Sequence, residues 1–518
     1  MGLFDFIGPA SGLLFTLENI IWINLGVFIG CVFAAIPGLS VILCIILFLP
    51  VTYTMKAIPG MMFLLGIYCA GGYGGSVSAI LINTPGTPHA AATMLDGHPL
   101  SKMGRTKAAL KIALYASTFG GIFSALVLLF LGPQVAKISA QLGTAEYFMV
   151  CLFGMTIIAG VSGKSLVKGI IAACLGLLIS CVGADPMTSY DRFTFGIHRL
   201  YLGLDLAVTL IGLFALVEII GKAELKHSEL NLHAGKIGND DGKITKDEYK
   251  RMLRPVLIGS IIGSCVGIVP GTGASEASWF SYNTAKNLSK HPEEFGHGSV
   301  EGVAAAESAN NAVCGATLIP LLTLGIPGES VTAVLMGGLI IQGLQPGPEL
   351  FTRYAPMTYT FFAGFVLVQL FMLGIGLLGC RGFAQISRLS DAILIPSVAV
   401  LCVVGSFAIH KNFFDVVIMM IFGVLGYLVR KFDLNPAAIV LALILGPIGE
   451  NGLRRSLRLS GGSPAILFST PLCWVLIALC VFAVCSPIFM NRMEKKAVEN
   501  AGGDIPNETG DDPVRTSD

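Results

Sequence analysis

What most constrains this chain is a succession of apolar stretches, each close to the length of a membrane-crossing helix. A span needs roughly 20 mostly apolar residues. Such stretches run near 12–36, 39–55, 58–83, 106–131, 145–163, 166–184 and 200–220, and again near 255–270, 303–325, 330–345, 356–379, 391–409, 413–429, 435–448 and 466–490. With 54% hydrophobic and 13% charged residues and a mean hydropathy of +0.77, the chain lies outside the soluble class. Its 33 basic and 32 acidic residues leave a net charge of +1, so there is no positive excess to attract nucleic acid.

The expected fold is therefore an all-α polytopic membrane protein of roughly 11–14 transmembrane or re-entrant helices. Residues 1–221 form a first transmembrane repeat, 222–254 a polar cytoplasmic linker, 255–490 a second repeat with extra spans, and 491–518 a polar tail read as disordered. Met1 to Ser11 lack the basic start and cleavage site of a secretory signal, so the first apolar segment is expected to be retained. Basic residues cluster at Lys102, Arg105, Lys107 and Lys111, at Lys164 and Lys168, and in the linker. Excess basic residues mark cytoplasmic loops, and these three fall on alternate turns. Arg192 and Arg199 then lie on the opposite side, while the side of Arg454, Arg455 and Arg458 stays open. The 13 cysteines show no C-x-x-C pair or zinc spacing and read as small apolar fillers.

The chain also repeats itself. Gly26, Gly30, Pro37 and Gly38 return as Gly259, Gly263, Pro270 and Gly271 at a constant offset of 233 residues, and Pro85-Gly86 returns as Pro327-Gly328 at an offset of 242. Among 63 glycines a glycine match means little, but Pro-Gly matched twice in order points to duplication. Seven spans separate one repeat from the next, an odd number, so the halves are expected to be inverted, an arrangement common in secondary transporters.

The first break, from Tyr73 through Ser76 to Asn83-Thr84-Pro85-Gly86-Thr87-Pro88, is apolar enough for membrane depth yet cannot be one regular helix. Its prolines free the carbonyls of Leu81 and Thr84, which within lipid need another partner: a cation, a neighbouring helix or water. Thr87-Pro88 reads as the cap and first position of a new helix, whose N-terminus favours an anion. The second copy holds Asn310, Asn311, Thr323, Pro327, Gly328 and Glu329, with Ser330 as cap and Thr332 just inside. Substrate-binding candidates are Ser76, Asn83, Thr84, Pro85, Gly86, Thr87, Asn310, Asn311, Pro327, Gly328, Ser330 and Thr332. Coupling-ion candidates are Leu81, Thr84, Thr323 and Glu329. The competing reading of either break is a packing kink.

Pro270, Gly271, Thr272, Gly273 and Ser275 are a secondary candidate, or a glycine-rich bend with capping serines. Glu276, Glu301, Glu307 and Glu329 are acids near apolar segments, functional candidates by default unless they face water at helix ends. Gly160-Val-Ser162-Gly-Lys164-Ser165 imitates a phosphate loop but has Ile158 where glycine is needed and joins two apolar spans. As a serine nucleophile, Ser162 has no nearby base. Asn239 to Glu248 imitates a calcium loop whose first ligand position falls on Ile237, so a solvated linker is expected.

These residues resemble the large membrane subunit of the tripartite tricarboxylate transporters, the TctA type. The resemblance rests on Tyr73-Gly-Gly-Ser-x-x-Ala-Ile-Leu-Ile-Asn-x-Pro-Gly-Thr, Asp96-Gly-His-Pro-Leu-x-Lys102, Arg192-Phe-Thr-Phe-Gly196, Pro270-Gly-Thr-Gly-Ala, Phe295-Gly-x-Gly-x-x-Glu301-Gly-Val-Ala-Ala, Asn310-Asn311, and Leu321-Leu-Thr-Leu-Gly-Ile-Pro-Gly through Gln345-Pro-Gly-Pro348. His98, Ser101, Met103 and Gln342 depart from the family pattern. The resemblance implies a transport subunit, not an enzyme, in a bacterial inner membrane. It implies import of citrate-like di- or tricarboxylates with a small four-span membrane subunit (TctB type) and a periplasmic binding protein (TctC type). No cofactor is implied beyond a sodium ion or proton as coupling ion. An intramembrane enzyme and a channel are the alternatives from other classes.

Overall fold

The computed structural model describes residues 12–161, 166–224, 242–386 and 391–484. The start of the chain, most of the linker, the tail from 491, Ser162 to Ser165 and Asn239 to Asp241 lie outside the described residues.

Thr16 caps α1 (Leu17–Ala35) and Ser40 caps α2 (Val41–Thr52), each accepting a backbone N–H three residues on. Between them Gly38 takes a φ of +78°, which glycine adopts without strain. Then follow α3 (Ala57–Ile82), α4 (Ala91–Lys102), α5 (Thr106–Ser139), α6 (Thr144–Val161), α7 (Leu166–Ser180) and α8 (Leu206–Glu224). The second half comprises α9 (Lys246–Ile268), α10 (Ala274–Leu288), α11 (Val300–Ala316), α12 (Leu318–Leu324), α13 (Ser330–Ile341), α14 (Ala355–Ile386), α15 (Asp391–His410), α16 (Phe413–Lys431), α17 (Pro436–Leu459) and α18 (Pro471–Val484). Among the described residues, nine helices are long and apolar enough to cross a membrane, with four shorter apolar helices beside them. The chain is an all-α polytopic membrane protein.

Two differences from the sequence reading stand out. The start of α4 was read at Thr87-Pro88, but its course to Lys102 was not, and α10 was not foreseen at all, because Asp96, Gly97 and Pro99 in one and Glu276, Asn283 and Lys286 in the other mask them. The linker read as 222–254 is helical at both ends: α8 runs to Glu224 and α9 starts at Lys246. Glu248, the last position of the calcium-loop look-alike, instead closes a capping box with Thr245 and pairs with Arg105 at 2.7 Å.

The duplication is visible in the packing. Helix α1 lies along α3 so closely that a Cβ on Gly26 or Gly30 would meet the Phe63 or Ile67 carbonyl oxygen at 2.2 and 2.5 Å. On α9, a Cβ on Gly259 or Gly263 would meet the Ala305 and Ala309 carbonyl oxygens of α11 at 2.7 and 2.3 Å. The glycines are related by 233 and their partners by 242. Small residues thus let each hairpin approach its central helix at backbone distance.

The central helices α3 and α11 cross antiparallel. Tyr68 Oη lies 3.2 Å from Thr317 Oγ1, Asn310 Nδ2 donates to the Gly72 carbonyl at 3.2 Å, and Ser76 Oγ donates to Glu307. Numbers rise on one helix as they fall on the other. Since α3 and α11 are equivalent, the two repeats are inverted.

Arg105 with Glu248, Lys111 with the Gly242 carbonyl and Lys168 with Asp433 mark one end of the bundle, reached alternately through α5, α6 and α7. The other end carries the 181–205 connection. Helix α17 runs parallel to α7, with a Cβ on Gly176 directed at the Ile439 carbonyl and one on Gly446 at Ser180. Arg454 is therefore carried to the Arg192 end, which resolves its side. There Arg192 and Arg454 both pair with Asp185 and with Glu450. Burial pushes the Asp185 carboxyl up, but the Arg454 hydrogen bond, the N–H groups of Met187 and Thr188, and Arg192 outweigh it and hold the group well below the usual carboxylate range.

Candidate functional site

Helix α3 stops at Asn83, whose φ of +55° is left-handed. The chain then turns back along the helix, and the Gly86 N–H donates to the Gly75 carbonyl at 3.1 Å. No side chain fits there: a Cβ on Gly86 would lie 2.0 Å from the Ala34 carbonyl oxygen, and one on Gly75 would lie 2.2 Å from Thr87 Oγ1. Thr87 is extended, and Pro88 opens a short turn, Pro88–Ala90, that leads into α4. Helix α4 then runs beside α3 in the same direction, with His98 Nδ1 3.1 Å from the Ile80 carbonyl oxygen.

The second break follows the same plan. Gly325 ends α12 at a φ of +72°. A Cβ on Gly328 would lie 2.8 Å from Thr317 Cγ2 and 3.2 Å from the Gly267 carbonyl oxygen. Gly267 answers Ala34 and Thr317 answers Gly75, at the two offsets already met. Here the loop is held from outside, by the Gly271 N–H donating to the Gly328 carbonyl at 2.8 Å. The cap of α13 is Glu329 and not Ser330. The reason is Thr332, whose Oγ1 accepts the Glu329 N–H at 3.0 Å and donates to the Glu329 carbonyl at 2.8 Å; Ser330 is the first helical residue.

Five helix starts face one cavity of about 260 Å³: Ile42 of α2, Pro88 and His89 before α4, Gly273 and Ala274 of α10, Glu329 and Ser330 of α13, and Asn435 and Ala437 of α17. Free N–H groups and dipole ends make such starts favourable to an anion. Two carboxylates also reach it. Glu329 accepts from Tyr68 Oη at 2.5 Å and from the Ala274 N–H at 3.3 Å, and Glu276 accepts from the Gly273 N–H at 3.0 Å. Both close on Gly273, whose absent Cβ would lie 3.2 Å from Glu276 Oε2 and 3.3 Å from Glu329 Oε2. His89 Nδ1 lies 3.4 Å from Ser275 Oγ. An anion entering beside these acids needs a compensating positive charge.

The structure divides the sequence candidates. Gly271, Gly273, Ser275, Glu329 and Ser330 line the cavity. Pro85, Gly86, Thr87, Pro327 and Gly328 build the breaks behind it, and the Thr87 hydroxyl is buried without a partner. Thr272 turns its hydroxyl to the Val266 carbonyl at 2.6 Å. Asn310 and Asn311 sit at the crossing of α3 and α11, where Asn310 binds the Gly72 carbonyl and Asn311 approaches Met372. Asn83 is exposed, Thr84 donates to the Ile82 carbonyl at 3.4 Å, and Leu81 is buried in the last turn of α3. Thr323 donates to the Ile319 carbonyl at 2.7 Å and its own carbonyl accepts from Ser139 at 2.6 Å. Tyr68, His89 and Asn435 were missed; only His89, directly after Pro88, carried a local signal.

Residues 20–441 match the tripartite tricarboxylate transporter TctA family. An uncharacterised 52.8 kDa protein from the TAR-I ttuC' 3' region of Agrobacterium vitis is 34% identical over 484 residues, covering 93% of this chain and 96% of that protein. A second uncharacterised protein of Agrobacterium vitis, from the TAR-II ttuC' 3' region, is 36% identical over 241 residues, 46% of this chain and 100% of its own length. No solved structure matches. With a match spanning both repeats and both helix breaks, the chain belongs to the tripartite tricarboxylate transporter TctA family.

Proposed function

We propose that this chain is the membrane-embedded translocation subunit of a secondary transporter that imports citrate-like di- or tricarboxylates. It works in a bacterial inner membrane with a small four-span membrane subunit and a periplasmic binding protein that delivers the substrate. A gradient of protons or sodium ions drives it. The observation that carries this reading is the convergence of five helix starts, two of them at matched Pro-Gly breaks of inverted repeats, on one cavity. Helix starts bind a carboxylate without an arginine clamp, and sites at broken helices between inverted repeats suit alternating access. Glu276 and Glu329 also reach the cavity, so the anion enters together with a compensating positive charge, and the site of the coupling ion is left open by this reading.

The test is uptake of labelled carboxylates, citrate first, into cells expressing the chain with both partners, with the sodium and proton gradients collapsed separately. Saturable uptake that requires the binding protein and vanishes with one gradient is expected. An assembled complex that moves no carboxylate would overturn the substrate class.

A further inference from the structure

Glu307 lies on α11 at the crossing of the two repeats and is fully buried. Its carboxyl receives three hydroxyls from three other helices. Ser76 of α3 and Thr93 of α4 donate to one oxygen, and Ser117 of α5 donates to the other at 2.6 Å. Among the described residues, five charged or titratable groups on or beside the helices packed around it have their partners elsewhere. Asp96 of α4 accepts the N–H groups of Gly296, Gly298 and Ser299. Lys111 of α5 binds the Gly242 carbonyl, Arg251 of α9 pairs with Glu294 and Glu301, and Glu276 of α10 caps its own helix. His89, ahead of α4, lies beside Ser275.

A carboxylate held away from water among neutral partners costs several kcal/mol, and a proton removes that cost. Hydroxyls both donate and accept, so the same cage serves the ionised and the neutral acid. They close directly on the carboxyl oxygens, an arrangement suited to a proton, whereas a metal cation needs oxygens spread around it. The packing of the duplicated fold does not require an acid here: the equivalent residue of the first repeat, at the offset of 242, is Leu65. Helix α4 links this group to the cavity. Pro88 and His89 at its start line the cavity, and Thr93, one turn on, holds Glu307.

We infer that Glu307, caged by Ser76, Thr93 and Ser117, binds the proton that drives transport. An O–H bond forms on its carboxylate when the proton arrives from one side of the membrane and breaks when it leaves to the other, and α4 carries the occupancy of each site to the other. This rests on the transport reading above and names its coupling ion.

The test is labelling of the purified full chain with N,N′-dicyclohexylcarbodiimide, which adds to protonated carboxyl groups in apolar sites, followed by peptide mass spectrometry. Labelling of Glu307 is expected at acidic pH, declining as pH rises and indifferent to sodium chloride. Thr93→Val and Ser117→Ala should each move the midpoint by about half a pH unit or more, a readout that a merely structural role leaves in place. Glu307→Gln should abolish the label and lower citrate accumulation driven by a pH gradient at least about tenfold. Protection by sodium at fixed pH, absence of labelling throughout, or midpoints unmoved in both hydroxyl variants would overturn the inference. Labelling needs no substrate, so a chain that labels as expected yet moves no citrate fails the transport reading alone.

Discussion

Gly86 and Gly328 occupy equivalent places with unequal room. A Cβ on Gly86 would lie 2.0 Å from a backbone oxygen, that of Ala34, whereas one on Gly328 would first meet the Thr317 side chain at 2.8 Å. Backbone cannot yield as a side chain can, and overpacking of this kind costs about 1–3 kcal/mol. Gly86→Ala should therefore abolish citrate uptake and lower the amount of folded protein, while Gly328→Ala should retain measurable uptake. Equal loss in both, by uptake and detergent-solubilised yield, would count against the unequal collars.

Tyr68 reaches across the repeat crossing to hold Glu329 at 2.5 Å. A hydrogen bond to a charged group contributes about 1.5–3 kcal/mol. Tyr68→Phe should lower uptake by about tenfold or more at unchanged membrane protein level. Wild-type kinetics in this variant would remove Glu329 from the site.

The Asp185 cluster gives a pH-dependent prediction. Its folded-state pKa is depressed below the unfolded value of about 3.9, so its contribution is fully present above that pH and is lost as pH falls toward the lower folded value. Asp185→Asn should lower Tm at pH 7, and the gap to wild type should narrow below about pH 4. A gap that is constant across this range in a detergent melting series would mean that the Arg192 and Arg454 pairs contribute little.

Lys168 and Arg454 stand at opposite ends of α7 and α17, which run parallel. Cysteines placed at these two positions should react with a membrane-impermeant thiol reagent from opposite sides: Arg454→Cys on intact cells, Lys168→Cys only after permeabilisation. Labelling from one side would contradict the crossing pattern.

The sequence made the inverted duplication legible because backbone contact leaves its mark as glycine. Gly26, Gly30, Gly259 and Gly263 are small for one shared reason, and the two matched pairs, Pro85-Gly86 and Pro327-Gly328, each follow the end of a helix. The extent of the site was less legible. Thr87-Pro88 announced the start of α4, but its course hid behind the polar Asp96-Gly97-His98-Pro99, where Asp96 accepts three N–H groups some 200 residues away. Asn83 was placed in the site by its neighbourhood, but its left-handed backbone turns the chain there and leaves the side chain exposed. Glu307 was only one acid among four, since Ser76, Thr93 and Ser117 become its partners only in three dimensions.

Antiparallel helices oppose their macrodipoles, so the crossing of α3 with α11 largely cancels the field of the two longest-buried elements at the middle of the molecule. The potential within the cavity is then left to the short helices that begin at its wall. For the anion proposed above, their length and aim, together with the carboxyls of Glu276 and Glu329, set how strongly it is held. Affinity can therefore be tuned by a turn of backbone gained or lost at α4 or α13.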